Sequence, residues 1–196
     1  FKHLDREKYE CILIGISPEG RWYLHDLPAD VIPESLAIVE DEDKELVLAP
    51  GKGIYSQQCI IPIDLVLPIL HGSFGEDGTL QGALDITGIP YAASGVLGSA
   101  LGMDKAVVKK VWSYHGLPVV PYKIIRKNDY VSNSAEFVRL VDDFFSTYSS
   151  PVFIKPNCAG SSLGVQKAST REECYDAVRD AFQYDHTVLL EKAVAG

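Results

Sequence analysis

The sequence predicts an α/β chain, with short strands through its first half and strands alternating with helices through its second. Three observations carry the prediction. Short apolar runs alternate with turns through the first half. Strand-like runs alternate with helix-length amphipathic stretches through the second. Between them, the largely apolar residues 63–70 empty into His71-Gly72-Ser73-Phe74-Gly75-Glu76-Asp77-Gly78-Thr79-Leu80-Gln81-Gly82. An apolar run that ends in a histidine and four glycines reads as a strand leaving the core for a loop whose backbone must come close to a ligand. Ligands in open α/β sheets collect beyond the carboxyl ends of strands, where His71, Glu76 and Asp77 would stand. A tight turn with a capping carboxylate competes for any one of these residues alone; together they favour a site.

In chain order, residues 11–16 read as a strand, Ser17-Pro18-Glu19-Gly20 as a turn, and residues 21–24, 45–49 and 63–70 as further strands. The charge run at residues 40–45 reads as a solvated loop, and Pro28, Pro33 and Pro50-Gly51 mark loops. Residues 79–87 form a helix ended by Gly88, and a second helix runs from an N-cap at Ser99 to Tyr114, carrying Asp104, Lys105, Lys109 and Lys110. Residues 122–126 are a strand, 134–148 an amphipathic helix and 151–155 a strand. Residues 163–166 follow as a strand, then a helix from Ser169 or Thr170 with Glu172 or Glu173 three residues on as a capping box, then a last strand at 187–191. There is no internal repeat.

The 196 residues, 46% of them hydrophobic, suffice for one sizeable core or two small ones. A net charge of -9 repels a phosphate backbone, so nucleic acid is a poor partner. No apolar stretch is long enough to span a membrane, and Phe1-Lys2-His3-Leu4-Asp5 lacks the apolar core of a signal peptide. Cys11, Cys59, Cys158 and Cys174 are scattered without the spacing of a zinc site, which fits buried free thiols in the cytoplasm.

A second constellation follows the strand at residues 151–155. Lys155 closes it, and Asn157-Cys158-Ala159-Gly160-Ser161-Ser162-Leu163-Gly164 supplies a small, hydroxyl-bearing loop. Lysine offers a point charge, serine hydroxyls and loop amides offer donors, and glycines let the backbone close over phosphate oxygens. The pattern is neither a Walker loop nor a Rossmann fingerprint. Lys105 offers a second positive charge, and Glu191-Lys192 ends a strand as an adenine-binding edge would.

These pieces, in this order, resemble the D-alanine-D-alanine ligases of the ATP-grasp superfamily. The resemblance lies in His71-Gly72-x-x-Gly75-Glu76-Asp77-Gly78-x-x-Gln81-Gly82, Ile89-Pro90-Tyr91-x-x-Ser94-Gly95, Ser99-Ala100-Leu101-x-Met103-Asp104-Lys105, Lys155-Pro156-x-x-x-Gly160-Ser161-Ser162-x-Gly164 and Glu191-Lys192. Residues 9–26, with Gly15-Ile16-Ser17-x-x-Gly20-x-Trp22, also look like the early part of such ligases. The resemblance implies an incomplete doubly wound N-terminal domain over residues 1–96 and an incomplete central ATP-grasp subdomain over 97–196, the latter a mixed domain of helices on an antiparallel sheet. It implies ATP-dependent ligation of two D-alanines through an acyl phosphate, for the peptidoglycan precursor of the bacterial cell wall. Lys105 and Lys155 would hold the ATP phosphates, with Gly160, Ser161, Ser162 and Gly164 folding over them. Glu191, the carbonyl of Lys192 and the amide of Val194 would bind adenine. His71 would sit near the first D-alanine, Ser161 would join the network that positions substrate, and Asp104 would fix the helix.

The family's first strand, with its substrate-binding glutamate, is expected before Phe1. Its ribose-binding glutamate, oxyanion-stabilising arginine and Mg2+ ligands are expected beyond Gly196. The segment alone is expected to be inactive and, without the first strand, to expose apolar surface; a homodimer is what the family leads one to expect. The competing readings are a ligase joining D-alanine to D-lactate or D-serine, another carboxylate-amine ligase of the superfamily, and a non-catalytic module that keeps the fold.

Overall fold

The computed structural model describes residues 4–5, 7–25, 37–57, 59–132, 134–148 and 151–194. Pro28 and Pro33, expected in loops, lie outside the described residues. The chain divides into two compact units, one of Phe1–Leu67 with Ala83–Ala92 and the other of Pro68–Gly82 with Ala93–Gly196.

Among its described residues the first unit holds five strands, β1 (Leu13–Ile16), β2 (Trp22–His25), β3 (Glu45–Ala49), β4 (Gly53–Ser56) and β5 (Cys59–Ile61), paired in chain order and antiparallel throughout. The turn at Ser17–Gly20 forms as the sequence requires, Gly20 N donating to Ser17 O at 2.9 Å. A doubly wound sheet is therefore not what these strands make. Turns as short as Ser17–Gly20, and the one closed by Lys52 N on Ala49 O at 3.0 Å, join only antiparallel neighbours. The one parallel contact among the described residues is the isolated bridge of Val66 with Tyr91. Between those two residues the chain passes through α1 (Thr79–Thr87), a trace of a crossover connection.

Residues 63–70 are not a strand beyond that bridge, and β4 and β5 stand where no strand was expected. Pro62 and Pro68 bracket the segment and bring no N–H to a ladder. Leu65, Leu67 and Ile69 are left exposed. The core of this unit is Leu46, Ile54 and Ile89, with Ile14, Trp22, Leu24 and Leu48 packed against it.

The second unit has the predicted helices on an antiparallel sheet. Its strands are β6 (Tyr122–Arg126), β7 (Val152–Pro156), β8 (Gln166–Ala168) and β9 (Thr187–Lys192), in the order β6-β9-β7-β8. The strand expected at 163–166 starts later because residues 161–164 form turns. Helices α4 (Lys127–Ser132), α5 (Ser134–Tyr148) and α6 (Arg171–Ala181) follow, α4 being unforeseen. Phe137, Val141 and Phe144 recur at helical spacing on α5, and Cys174, Ala177, Val178 and Ala181 on α6. They bury one face of the sheet, made of Ile125, Val152, Ile154, Val188 and Leu190. The cap of α6 is close to the predicted box: Thr170 Oγ1 accepts from Glu173 N at 3.2 Å, while Glu173 Oε2 reaches one residue further back than the N-cap and accepts from Ser169 N at 2.7 Å.

The single helix expected from Ser99 to Tyr114 is two, α2 (Val96–Met103) and α3 (Lys105–Tyr114). Asp104 breaks it: its backbone is extended (φ −80°, ψ 97°) and its carboxylate accepts from Val107 N at 2.8 Å. A short acidic side chain that satisfies an orphan donor of the next helix favours a cap over helix continuation. Ser99, expected as the N-cap, instead lies inside α2, its hydroxyl donating to Ser94 O at 3.1 Å, and the cap is Gly95. The cysteines also differ from expectation, for only Cys174 is buried, its thiol pushed up to about 12 by that burial, while Cys11 and Cys59 are exposed.

Candidate functional site

A cleft of about 790 Å3 opens within the second unit. His71, Glu76, Lys105, Lys155, Ser161 and Ser162 line it, so the two loops the sequence singles out face one space. They also touch. A Cβ on Gly160 would lie 3.3 Å from Gly72 Cα, a tight approach that a larger residue would meet only with a shift of a few tenths of an ångström.

The first loop is held by its own carboxylates. Glu76 Oε2 accepts from Gly72 N at 2.6 Å, and Glu76 Oε1 stands 4.0 Å from His71 Nδ1. Asp77 accepts from Phe74 N at 2.8 Å and Thr79 N at 2.9 Å. Burial pushes the Asp77 carboxyl up, but these backbone donors outweigh it and hold it below its usual range. The His71 side chain stays 80% exposed, free to meet a ligand.

The second loop is bent to an unusual degree. Ser161, Ser162 and Gly164 have φ of +49°, +60° and +70°, and left-handed backbone costs a non-glycine residue roughly 1–2 kcal/mol. Gly164 has no room for a side chain, since a Cβ there would meet Tyr184 Cδ2 at 2.6 Å and Pro156 Cγ at 2.8 Å. Such strain at a cleft is consistent with a backbone shaped to present its amides to a ligand.

Lys105 reaches the same loop from the first turn of α3. Its ammonium donates to Asn157 O at 3.0 Å and Ala159 O at 2.7 Å, and burial, the leading cause, pulls its pKa down. Asn157, missed in the sequence, fixes this arrangement: its Oδ1 accepts from Ala106 N at 2.8 Å and its own N–H donates to Thr187 O at 2.9 Å. One buried amide thus ties the start of α3 to the end of β7.

On the sheet face away from the core, Lys155 and Glu191 meet. Phe153 pairs with Glu191 in the β7–β9 ladder, so Lys155, two residues on, shares that face. Lys155 Nζ lies 2.6 Å from Glu191 Oε2. The other carboxylate oxygen belongs to Lys109, at 2.9 Å. Burial pushes the Glu191 carboxyl up, but its hydrogen bonds and charge pairing with Lys155 and Lys109 prevail and hold it below the usual carboxylate range. Lys109 had no role in the sequence reading, although its spacing of four from Lys105 on α3 was the available signal. Lys192 and Val194 are not among the residues that line the cleft; Lys192 Nζ lies 6.0 Å from the Tyr148 ring centre, and Val194 is exposed.

Chemically, the cleft offers ammonium groups, loop hydroxyls and strained backbone to an anion, and an exposed imidazole across from them. Comparison with known proteins agrees in kind. Residues 1–94 match the family described as D-ala D-ala ligase N-terminus, and residues 111–196 match D-ala D-ala ligase C-terminus. A D-alanine–D-alanine ligase of Caldicellulosiruptor bescii is 40% identical over 199 residues, covering 98% of this chain and 53% of the relative. Among solved structures, the D-alanine-D-alanine ligase of Coxiella burnetii superposes with a TM-score of 0.84 at 30% identity, covering 100% of this chain and 57% of that one. The VanG D-Ala:D-Ser ligase of Enterococcus faecalis superposes with a TM-score of 0.79, also at 30% identity, covering 100% and 56%. The chain spans about half the length of the curated relatives it matches. With both halves of its sequence matched in order and the ATP-grasp fold shared, the chain belongs to the D-alanine-D-alanine ligase family.

Proposed function

We propose that the protein containing this chain joins two D-alanines at the expense of ATP, supplying a dipeptide for peptidoglycan precursor synthesis. The observation that carries the reading is the convergence of Lys105, Lys155 and the Gly160–Ser162 backbone on the cleft that His71 also lines.

The γ-phosphoryl group passes to a carboxylate oxygen of the first D-alanine, giving an acyl phosphate and ADP. The amine of the second D-alanine attacks the acyl carbon, and the tetrahedral intermediate expels phosphate after the amine loses a proton. Phosphoryl transfer needs positioning and charge neutralisation more than covalent help from the protein. Lys105 and Lys155 supply that charge; Lys105 exchanges the carbonyls of Asn157 and Ala159 for phosphate oxygens. The loop Gly160, Ser161, Ser162 and Gly164 covers the phosphates, the Ser161 hydroxyl orients substrate, and His71 borders the first D-alanine. Glu191, the Lys192 carbonyl and the Val194 amide receive adenine. Among the described residues no group of three or more His, Cys, Asp or Glu side chains could hold a metal ion. We place the protein in the cytoplasm, where ATP is available. Among the described residues no helix is long and apolar enough to cross a membrane.

A second reading, transfer of D-alanine to D-serine or D-lactate, has one observation behind it: identity to the D-Ala:D-Ser ligase equals that to the Coxiella enzyme, 30% in both. The test is mass-spectrometric product analysis of the full-length protein with ATP, magnesium, D-alanine, D-serine and D-lactate together. D-alanyl-D-alanine as the main product is the expected outcome. A D-serine or D-lactate product would move the protein to the second reading, and no product of any kind would leave a non-catalytic module.

A further inference from the structure

We propose that Lys109 is a positioning residue of the nucleotide site, holding Glu191 so that the charge of Lys155 stays available to phosphate. The inference rests on the ATP reading above.

Lys109 follows Lys105 by one helical turn, so both stems leave the same side of α3. Lys105 goes to the loop and lines the cleft, whereas Lys109 goes to Glu191 and does not. The carboxylate is divided between two ammonium groups, Oε1 to Lys109 at 2.9 Å and Oε2 to Lys155 at 2.6 Å. Side-chain exposure falls from 30% at Lys155 to 12% at Lys109 and 6% at Glu191. The group most open to an arriving anion is therefore Lys155, with the other two deeper.

The charge count gives the arrangement its consequence. Lys155 and Glu191 alone would form a neutral pair, and an ammonium spent on a buried carboxylate attracts phosphate weakly. With Lys109 on the second oxygen the trio carries one net positive charge, exposed chiefly at Lys155. Lys109 has further support of its own, its Nζ lying 5.3 Å from the Tyr122 ring centre, where the ring face favours a cation. Tyr122 pairs with Glu191 across the β6–β9 ladder, so strand register brings ring, carboxylate and Lys155 to one face, where Lys109 reaches the carboxylate from α3. A lysine kept only for packing would not need to end on the same carboxylate as a residue that lines the cleft.

The test is calorimetric binding of ATP and of adenosine to the full-length protein, read as the ratio of the two affinities, with thermal melting to establish folding. Adenosine carries no phosphate charge, so the ratio isolates the charge contribution from adenine contacts. Lys109→Met should lower the ratio at least about tenfold, the size expected when one charge-assisted hydrogen bond to phosphate is weakened, and Lys109→Arg should largely keep it. Lys109→Met combined with Glu191→Gln restores one net positive charge and should recover the ratio. A ratio unmoved in Lys109→Met overturns the proposal, and so does a ratio that falls but is not recovered in the double variant. If Lys109→Met does not fold, Glu191→Gln alone decides: it should raise the ratio, and an unchanged ratio overturns the proposal. A wild-type protein that binds neither ATP nor adenosine overturns the nucleotide reading, and the proposal with it.

Discussion

Glu191 is the shared counter-ion of Lys109 and Lys155. Its carboxyl is held below its ordinary range in the folded chain, so it binds protons less readily folded than unfolded. Its stabilising contribution is therefore complete above the unfolded value of about 4.3 and is lost as pH falls through the folded value. Glu191→Gln should cost about 3 kcal/mol at pH 7, the size expected when buried ammonium groups lose their counter-ion. The difference from wild type should shrink below about pH 4, where the native carboxyl also becomes neutral. Urea titrations of both chains at the two pH values check this, and a pH-independent difference would contradict it. At this scale the sequence singled out Lys155 and Ser161 by residue type at a glycine loop, and Lys105 on a helix by its order among the motifs; all three line the cleft. The sequence could not show that Lys105 rests on Asn157 and Ala159, because that contact crosses some fifty residues and a carbonyl leaves no mark on the residue that bears it. Lys109 was hidden for a related reason: a lysine on a helix is normally solvated, and only the position of a strand on another element says otherwise.

Among elements, the break between α2 and α3 matters most to the site. Asp104 caps α3, and Lys105 is the first residue of that helix, so the cap sets where the ammonium begins its reach. Asp104→Ala should cost about 1 kcal/mol of stability, a typical value for removal of an N-cap, while Asp104→Asn should cost a few tenths. Chemical denaturation of the three proteins measures both, and equal losses would show that the cap is not the cause. The sequence reading ran one helix through this point because it did not weigh the capping preference of Asp104, whose bond to Val107 N spans only three residues. Capping chemistry was legible at Thr170 and Glu173, where the side chains lie within four residues of their backbone partners. Residues 63–70 misled for the opposite reason. Their composition fits a strand, but a strand is completed by its neighbours, and Val66 finds only Tyr91.

For the chain as a whole, charge and apolar exposure set the behaviour in solution. The net charge of -9 keeps molecules apart at neutral pH, although Val47 and Ile60 both stand exposed on the first unit's sheet. Val47 and Ile60 each neighbour Tyr55 across the ladder, so they form one apolar face. Light scattering of this chain should rise to a maximum near pH 5.0, its isoelectric point, and fall again on either side. Val47→Thr should lower that maximum with a stability change within about 0.5 kcal/mol, as usual for surface positions. Helices α5 and α6 were legible because each carries its own periodic pattern, while the antiparallel sheet beneath them was expected from the family resemblance; the meander in the first unit was not legible, because β4 and β5 are four and three residues long. In β9, Val188 and Leu190 face the apolar core while Glu191 stands on the opposite side with the two lysines. The chain can therefore accept changes in length unevenly. One residue added at 185–187 that shifted β9 by a single position would turn Glu191 into the packed side and Leu190 onto Lys109. Natural variation in length should avoid that approach to β9 and gather at the tips of the surface hairpins, where an extra residue leaves pairing intact.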